Sequence, residues 1–152
     1  MTNQNFIPLN DLSRWDGREK QAIKKSIDDV LESGVFIDGP KIGVLSQQLQ
    51  DFLSGRHVVC VGNGTDALVL SLLGLGIQRG DIVATVANAG GYATSAILRI
   101  GAVPLLIDVD LTTAQMSSSN LQEKFLETPN VKAVIVTHLY GLMADIKAIR
   151  DV

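Results

Sequence analysis

The sequence lacks the features that mark several classes of protein. It has one cysteine, Cys60, so a disulfide-stabilised scaffold is excluded. No basic block stands out against a formal net charge of −3, so we expect no nucleic-acid partner. No apolar segment reaches the roughly 18 residues that a membrane-spanning helix needs. The first ten residues also lack the cationic and apolar regions of a signal peptide. These absences favour a cytoplasmic protein that makes no contact with a membrane.

The apolar residues fall into a regular pattern. Of the 152 residues, 46% are hydrophobic, which is enough to build the core of one domain and argues against disorder. Four short β-branched runs are almost entirely apolar, as expected for parallel strands buried on both faces. The predicted strands are His57–Val61, Ile82–Val86, Val103–Ile107 and Ala133–Thr137.

Helical patterns alternate with these strands. Helices are predicted at Gly17–Ser33, Ile42–Leu53, Thr65–Leu75, Tyr92–Ile100, Asn120–Leu126 and Met143–Val152. For the first helix, Asp16 and Glu19 have the spacing of a capping box, and Gly34 is expected to end it. The alternation predicts an α/β fold with helices around a mostly parallel sheet. No linker marks a domain boundary, and because another strand should follow the last helix, we expect the architecture to be incomplete.

The segment Gly62–Leu68 is the most informative for function. Here a predicted strand runs through small residues into a helix, so free backbone N–H groups and the positive end of the helix dipole point at one place. Such a place binds phosphate, with Gly64 allowing a close approach and the Thr65 hydroxyl adding a donor. The alternative is purely structural: Thr65 or Asp66 caps the helix, and Gly64 turns the chain.

The same segment also matches the dinucleotide fingerprint G-x-G-x-x-A through Gly62, Gly64 and Ala67. That fingerprint needs a carboxylate at the end of the second strand to bind the ribose. Val86–Ala89 contains none. An NAD-binding domain is therefore the weaker alternative.

Other polar residues follow the predicted strands at the edge where open α/β sheets bind ligands. Tyr92 could present its ring to a flat ligand. Asp108 and Asp110 could bind a cation or cap the following turn, and turn capping is the favoured interpretation. His138 could be a base, a stacking ring or a structural residue. No spacing of histidine, cysteine and acidic residues indicates a metal site.

Taken in order, several short motifs resemble those of one protein family, the DegT/DnrJ/EryC1/StrS pyridoxal-phosphate sugar aminotransferases of fold type I. The similarity runs from about residue 6 to residue 152. The motifs that carry it are Ser33–Pro40, Gly62–Leu68, Gly80–Val83, Gly101–Pro104, Asp108–Asp110 and His138–Gly141.

This resemblance implies a cofactor, pyridoxal 5′-phosphate, and a set of binding residues. Gly64, Thr65 and Asp66 would hold the cofactor phosphate through backbone N–H groups and the threonine hydroxyl. Tyr92 would stack on the cofactor ring, although Ala87–Thr94 departs from the commoner family pattern and a gapless alignment puts Gly91 at the aromatic position.

The resemblance also implies a reaction and its partners. An amino group, typically from glutamate, would move to a nucleotide-linked keto-sugar in nucleotide-sugar biosynthesis, in an enzyme that forms a homodimer. Residues 16–152 would correspond to the N-terminal portion of the large cofactor-binding domain, after an N-terminal segment of residues 1–15.

The reaction needs a lysine that forms a Schiff base, which the family carries further along its chain. None of the seven lysines here matches it: Lys20, Lys24, Lys25, Lys41, Lys124, Lys132 and Lys147. We therefore expect no catalytic residue in this chain, weak or absent cofactor binding, and no activity from the chain alone. The alternative is a non-catalytic phosphate-binding module with a regulatory role.

Overall fold

A computed structural model describes residues 11–152. Most of the predicted N-terminal segment, residues 1–10, therefore lies outside the described residues. The chain forms two compact units that divide between Cys60 and Val61, and each is described here by itself.

The first unit contains a short 3₁₀ turn, Leu12–Arg14, and two helices, α1 (Gly17–Ser33) and α2 (Pro40–Phe52). The capping box of α1 is confirmed: the Glu19 N–H donates to Asp16 Oδ1 at 2.8 Å, and the Asp16 N–H donates to Glu19 Oε2 at 3.3 Å. Helix α2 begins two residues earlier than predicted. Pro40 starts it because the first helical N–H has no partner within the helix, so a proline costs nothing there.

The apolar residues of α1 are not buried in the described part of the chain. Ile27 and Leu31 are 54% and 60% exposed, and neither α1 nor α2 has a buried residue. Asp29 of α1 accepts from Lys41 Nζ of α2 at 2.8 Å, which joins the two helices, and from Lys25 Nζ within α1 at 3.2 Å. These two ammonium groups, Lys41 first, lower the pKa of the Asp29 carboxyl group.

The second unit contains the sheet. Its helices are α3 (Gly64–Gly74), α4 (Tyr92–Arg99), α5 (Ser118–Glu127) and α6 (Ile146–Arg150), and a 3₁₀ turn spans Leu139–Gly141. Its strands are β1 (Ile82–Val86), β2 (Val103–Ile107) and β3 (Val131–Val134). They lie in the order β2-β1-β3 and are all parallel, so the predicted fold class is confirmed.

The bounds of β1 and β2 are those predicted, whereas β3 begins and ends earlier than predicted. The backbone pairing continues past the end of β3, because the Ile135 N–H donates to the Ala84 carbonyl at 2.8 Å. Pro104 lies in β2, which is an edge strand of this sheet, where a missing N–H is tolerated.

Strand β1 separates two apolar clusters. Val83 faces one cluster with Leu72 of α3 and Ile97 of α4. Its neighbour Ala84 faces the other cluster with Leu121 of α5, together with residues of β2 and α6. The sheet is therefore covered by helices on both faces, which explains why the strand sequences are apolar rather than alternating.

The predicted strand His57–Val61 is wrong. No strand is assigned between α2 and α3, and Val59 is 82% exposed. A strand is stabilised by ladder hydrogen bonds to a neighbour. None of the three strands in the described residues pairs with this segment, so its apolar, β-branched composition alone does not make it a strand.

Across residues 11–152, no helix combines the length and the hydropathy that crossing a membrane would require.

Two glycine substitutions in the first unit should change stability in opposite directions. Gly34 ends α1 with a left-handed φ of 66°, so Gly34→Ala should lower the free energy of unfolding by about 1 kcal/mol. Gly43 lies inside α2, and a Cβ there would meet nothing within 4 Å. Gly43→Ala should therefore raise the free energy of unfolding by about 0.5–1 kcal/mol. Urea unfolding followed by circular dichroism measures both, and a shift in the same direction for both variants would contradict these assignments.

Candidate functional site

Helix α3 begins with a hydrogen-bonded cap. Asn63 is the N-cap residue: its Oδ1 accepts from the Asp66 N–H at 2.9 Å, and its Nδ2 donates to Asp66 Oδ2 at 2.8 Å. The interpretation that Thr65 or Asp66 caps this helix is therefore wrong. Asparagine is a preferred N-cap residue, and Asn63 precedes an acidic residue, Asp66, by three positions. This local pattern could have identified Asn63 as the cap, which was not predicted from the sequence.

The first turn of α3 leaves hydrogen-bond donors free. The first helical hydrogen bond runs from the Ala67 N–H to the Asn63 carbonyl at 3.0 Å. No described residue accepts from the N–H groups of Gly64 or Thr65, and the hydroxyl of Thr65 likewise has no partner among residues 11–152. A Cβ at Gly64 would meet nothing within 4 Å, so space is open beside these donors. Two N–H groups, a hydroxyl and the positive end of the helix dipole form an anion-binding arrangement.

The carboxylate of Asp66 is held in place by a neighbouring helix. Arg99, the last residue of α4, donates from Nη1 to Asp66 Oδ1 at 2.7 Å. The two side chains are 57% and 36% exposed. Of the predicted phosphate-binding residues, Asp66 therefore already has partners for both its N–H and its carboxylate, whereas Gly64 and Thr65 do not.

Tyr92 lies at the start of α4, after the loop that follows β1. Its ring packs over Gly90: a Cβ built on that glycine would lie 2.8 Å from the tyrosine Cε2. Tyr92 is 65% exposed. The structure thus presents an accessible aromatic ring at the carboxyl-terminal edge of the sheet.

The predicted site residues lie on two adjacent helices. Helices α3 and α4 pack against each other, with Gly64–Asp66 in the first turn of one and Tyr92 at the first position of the other. The ion pair that joins the helices uses Arg99, seven residues beyond Tyr92 and therefore about 10 Å along the helix axis. No hydrogen bond between described residues links Tyr92 to Gly64–Asp66.

The loop after β3 is fixed by a glutamine that the sequence analysis missed. The side chain of Gln115 is buried, and its Oε1 accepts from the Leu139 N–H at 3.1 Å while its Nε2 donates to the Leu139 carbonyl at 3.4 Å. His138 Nδ1 accepts from the Ala144 N–H at 3.0 Å, which places the proton of the neutral ring on Nε2. Tyr140, two residues after His138, has a φ of 55° and is 98% exposed.

Asp110 caps the turn after β2, which confirms the favoured interpretation for this residue, whereas the carboxylate of Asp108 accepts no hydrogen bond from residues 11–152 and Asp108 takes part through its backbone. Its Oδ1 accepts from the Thr113 N–H at 2.8 Å, from the Thr113 hydroxyl at 3.1 Å and from the Thr112 N–H at 3.0 Å. These hydrogen bonds, those from Thr113 first, lower the pKa of the Asp110 carboxyl group.

Replacing Gly90 should displace the ring of Tyr92. Gly90 has a φ of 69°, and an added methyl group would collide with the ring, so Gly90→Ala should lower the free energy of unfolding by about 1–2 kcal/mol. The aromatic proton shifts of Tyr92 should change in the NMR spectrum. Gly74→Ala is the matched control, because a Cβ at Gly74 meets nothing within 4 Å. Unchanged Tyr92 resonances in Gly90→Ala would contradict the packing described here.

The turn at Asp110 should open in acid. Because its pKa is lowered in the folded chain, the carboxylate stabilises the turn above the ordinary aspartate pKa, and this contribution is lost as the pH falls through the lowered value. The amide shifts of Thr112 and Thr113, followed by NMR from pH 6 downwards, should titrate with a midpoint below the ordinary aspartate pKa. In Asp110→Asn that titration should disappear. A midpoint at or above the ordinary value would contradict the hydrogen bonding.

The sequence is similar to those of known sugar aminotransferases. The chain is 32% identical over 147 residues to 3-oxo-glucose-6-phosphate:glutamate aminotransferase of Bacillus subtilis, covering 97% of this chain and 32% of that protein. It is 33% identical over 147 residues to UDP-2-acetamido-2-deoxy-3-oxo-D-glucuronate aminotransferase of Pseudomonas aeruginosa, covering 97% of this chain and 40% of that one.

A solved structure matches almost the entire chain. NtdA of Bacillus subtilis, crystallised with the bound cofactor PMP, superposes with a TM-score of 0.87 at 30% identity, over 99% of this chain and 35% of that one. The chain thus spans between about a third and two fifths of the length of the relatives that it matches.

The model of the DegT/DnrJ/EryC1/StrS aminotransferase family matches residues 18–152, which include every element from α3 to α6 and the polar loops between them. The chain belongs to the DegT/DnrJ/EryC1/StrS aminotransferase family.

Proposed function

We propose that this chain is the phosphate-binding part of a pyridoxal-phosphate-dependent aminotransferase that acts on keto-sugars. The observation that carries the proposal is the first turn of α3, where the N–H groups of Gly64 and Thr65 have no acceptor among the described residues. Pyridoxal phosphate, when bound, supplies an electron sink through which an amino group passes from donor to acceptor.

The residues present fit the phosphate of such a cofactor. The donor set consists of two N–H groups and the Thr65 hydroxyl, which suits an anion with several acceptor oxygens. The one carboxylate in the turn, on Asp66, is already paired with Arg99. The loop after β1 offers Asn88 rather than a carboxylate, and Asn88 Nδ2 donates to the Ala114 carbonyl at 2.9 Å. The acid that a dinucleotide ribose requires is therefore absent from this loop, and the donor set favours a phosphate group without a ribose.

Different residues of the chain would bind different parts of the cofactor. Gly64 and Thr65 would hold the phosphate, and Asn63 would keep their N–H groups aligned by capping the helix. Tyr92, whose ring is accessible beside Gly90, would stack on the cofactor ring and limit its tilt.

We expect none of the seven lysines to form a Schiff base with the cofactor. Six lie on helices, among them Lys41 on α2, and Lys132 lies near the amino end of β3. Lys124 donates to Glu127 Oε2 at 2.7 Å, and this contact raises the pKa of the Lys124 ammonium group. We infer that these 152 residues do not transaminate by themselves.

The substrate, donor and partners extend the same proposal. One relative named above takes an oxo-sugar phosphate with glutamate as donor, and the other takes a UDP-linked oxo-sugar. We propose a nucleotide-linked keto-sugar as acceptor and glutamate as donor, in a cytoplasmic homodimeric enzyme.

The phosphate site can be tested with pyridoxamine 5′-phosphate, which has no aldehyde and so cannot react with surface lysines. Weak binding should shift the backbone amide resonances of Gly64 and Thr65 in NMR titrations of the full chain. Thr65→Ala should raise the dissociation constant by at least about tenfold, because it removes a hydrogen bond to a charged group worth about 1.5–3 kcal/mol. Thr65→Ser should bind like the parent chain.

The matched control is Thr128→Ala, a threonine at the end of α5 far along the chain from the site. It should bind the probe unchanged. Pyridoxamine without the phosphate should produce no shift at Gly64. Equal binding of the phosphorylated and unphosphorylated probes, or no response at Gly64 and Thr65, would contradict the proposed site.

A further inference from the structure

The ion pair between Asp66 and Arg99 sits at the one place where the proposed site holds an acid. Asp66 is the third residue of α3, one position after Thr65, whose N–H and hydroxyl are offered to the phosphate. An unpaired carboxylate there would repel a phosphate dianion. Repulsion over a few ångströms near a protein surface is large enough to abolish weak binding.

Two contacts hold this carboxylate in place. Asn63 Nδ2 holds Asp66 Oδ2 at 2.8 Å, and Arg99 Nη1 holds Asp66 Oδ1 at 2.7 Å. Arg99 comes from the far end of α4, 33 residues along the chain, so the contact fixes the packing of α4 against the first turn of α3. Each carboxylate oxygen thus has its own donor, and the negative charge is matched by one guanidinium.

We infer that Arg99 is a positioning residue for the proposed phosphate site: it neutralises Asp66 and holds its carboxylate against α4, so that the first turn of α3 accepts a phosphate. The inference rests on the proposed function. An ordinary surface ion pair contributes little to stability. The role inferred for the pair of Arg99 and Asp66 is different, because its effect is on ligand binding and depends on the charge of Asp66.

The test compares four chains with pyridoxamine 5′-phosphate as the probe: the parent, Arg99→Gln, Asp66→Asn, and the double variant. Arg99→Gln should bind about tenfold more weakly, because the carboxylate is left unpaired beside a dianion. Asp66→Asn should bind at least as well as the parent. The double variant should return to within about threefold of the parent, since there is no longer a charge to neutralise.

Control variants distinguish an effect of charge on binding from a loss of folded structure. Arg99→Lys keeps the positive charge and should bind within about threefold of the parent, a smaller loss than for Arg99→Gln because lysine is a flexible point charge. Arg150→Gln removes one exposed positive charge at the end of α6 and should leave binding unchanged. Thermal unfolding followed by circular dichroism reports whether any variant has lost its structure, and the double variant answers the question even if Arg99→Gln alone is unstable.

The outcomes distinguish the two proposals. Parent-like binding by Arg99→Gln would overturn the role of Arg99 while leaving the phosphate site intact. A double variant as weak as Arg99→Gln would also overturn it, because Arg99 would then act on the phosphate directly or through the fold. A parent chain whose Gly64 and Thr65 amides do not respond to the probe would overturn the proposed function, and this inference with it.

Discussion

Burial of strand β1 on both faces is the constraint on which the second unit depends. Val83 and Ala84 are fully buried in opposite apolar clusters, so α3 and α4 must cover one face while α5 and α6 cover the other. Successive side chains of a strand point to opposite faces. A shift of one residue in the register of β1 would therefore turn each of its side chains towards the opposite helix layer. The positions of the loops at the end of the strand, and with them Tyr92, follow from this packing.

Polar side chains then fix the loops one by one. Asn63 caps α3, Asn88 reaches the loop after β2, and Gln115 forms two hydrogen bonds with the backbone of Leu139. Such bonds each contribute only about 0.5–1.5 kcal/mol net, so their main effect is to choose one loop conformation among several. The N–H groups of Gly64 and Thr65 have no acceptor among residues 11–152, because they are the two N–H groups of the first turn that Asn63 does not reach.

A feature of this structure could be predicted from the sequence where the residues that cause it are close together in the chain. The bounds of α1, β1 and β2 follow from nearby signals, a capping box with its terminal glycine and short apolar runs buried on both faces. The strand predicted at His57–Val61 fails because pairing requires a neighbour, which composition cannot reveal. The ion pair of Asp66 with Arg99 spans 33 residues, and no local pattern indicates it.

Asp66 lies at a helix terminus where helix stability and phosphate binding favour opposite charges. An acid in the first turn stabilises a helix by interacting with the positive end of its dipole, whereas a phosphate needs the same positive end for itself. With Arg99 paired to it, Asp66 can stabilise the start of the helix while adding less negative charge beside the N–H groups of Gly64 and Thr65. A dinucleotide site places its acid at the end of the following strand, where it binds a ribose. Here the acid lies inside the turn and is neutralised from within the chain, which suits a ligand bound through its phosphate alone.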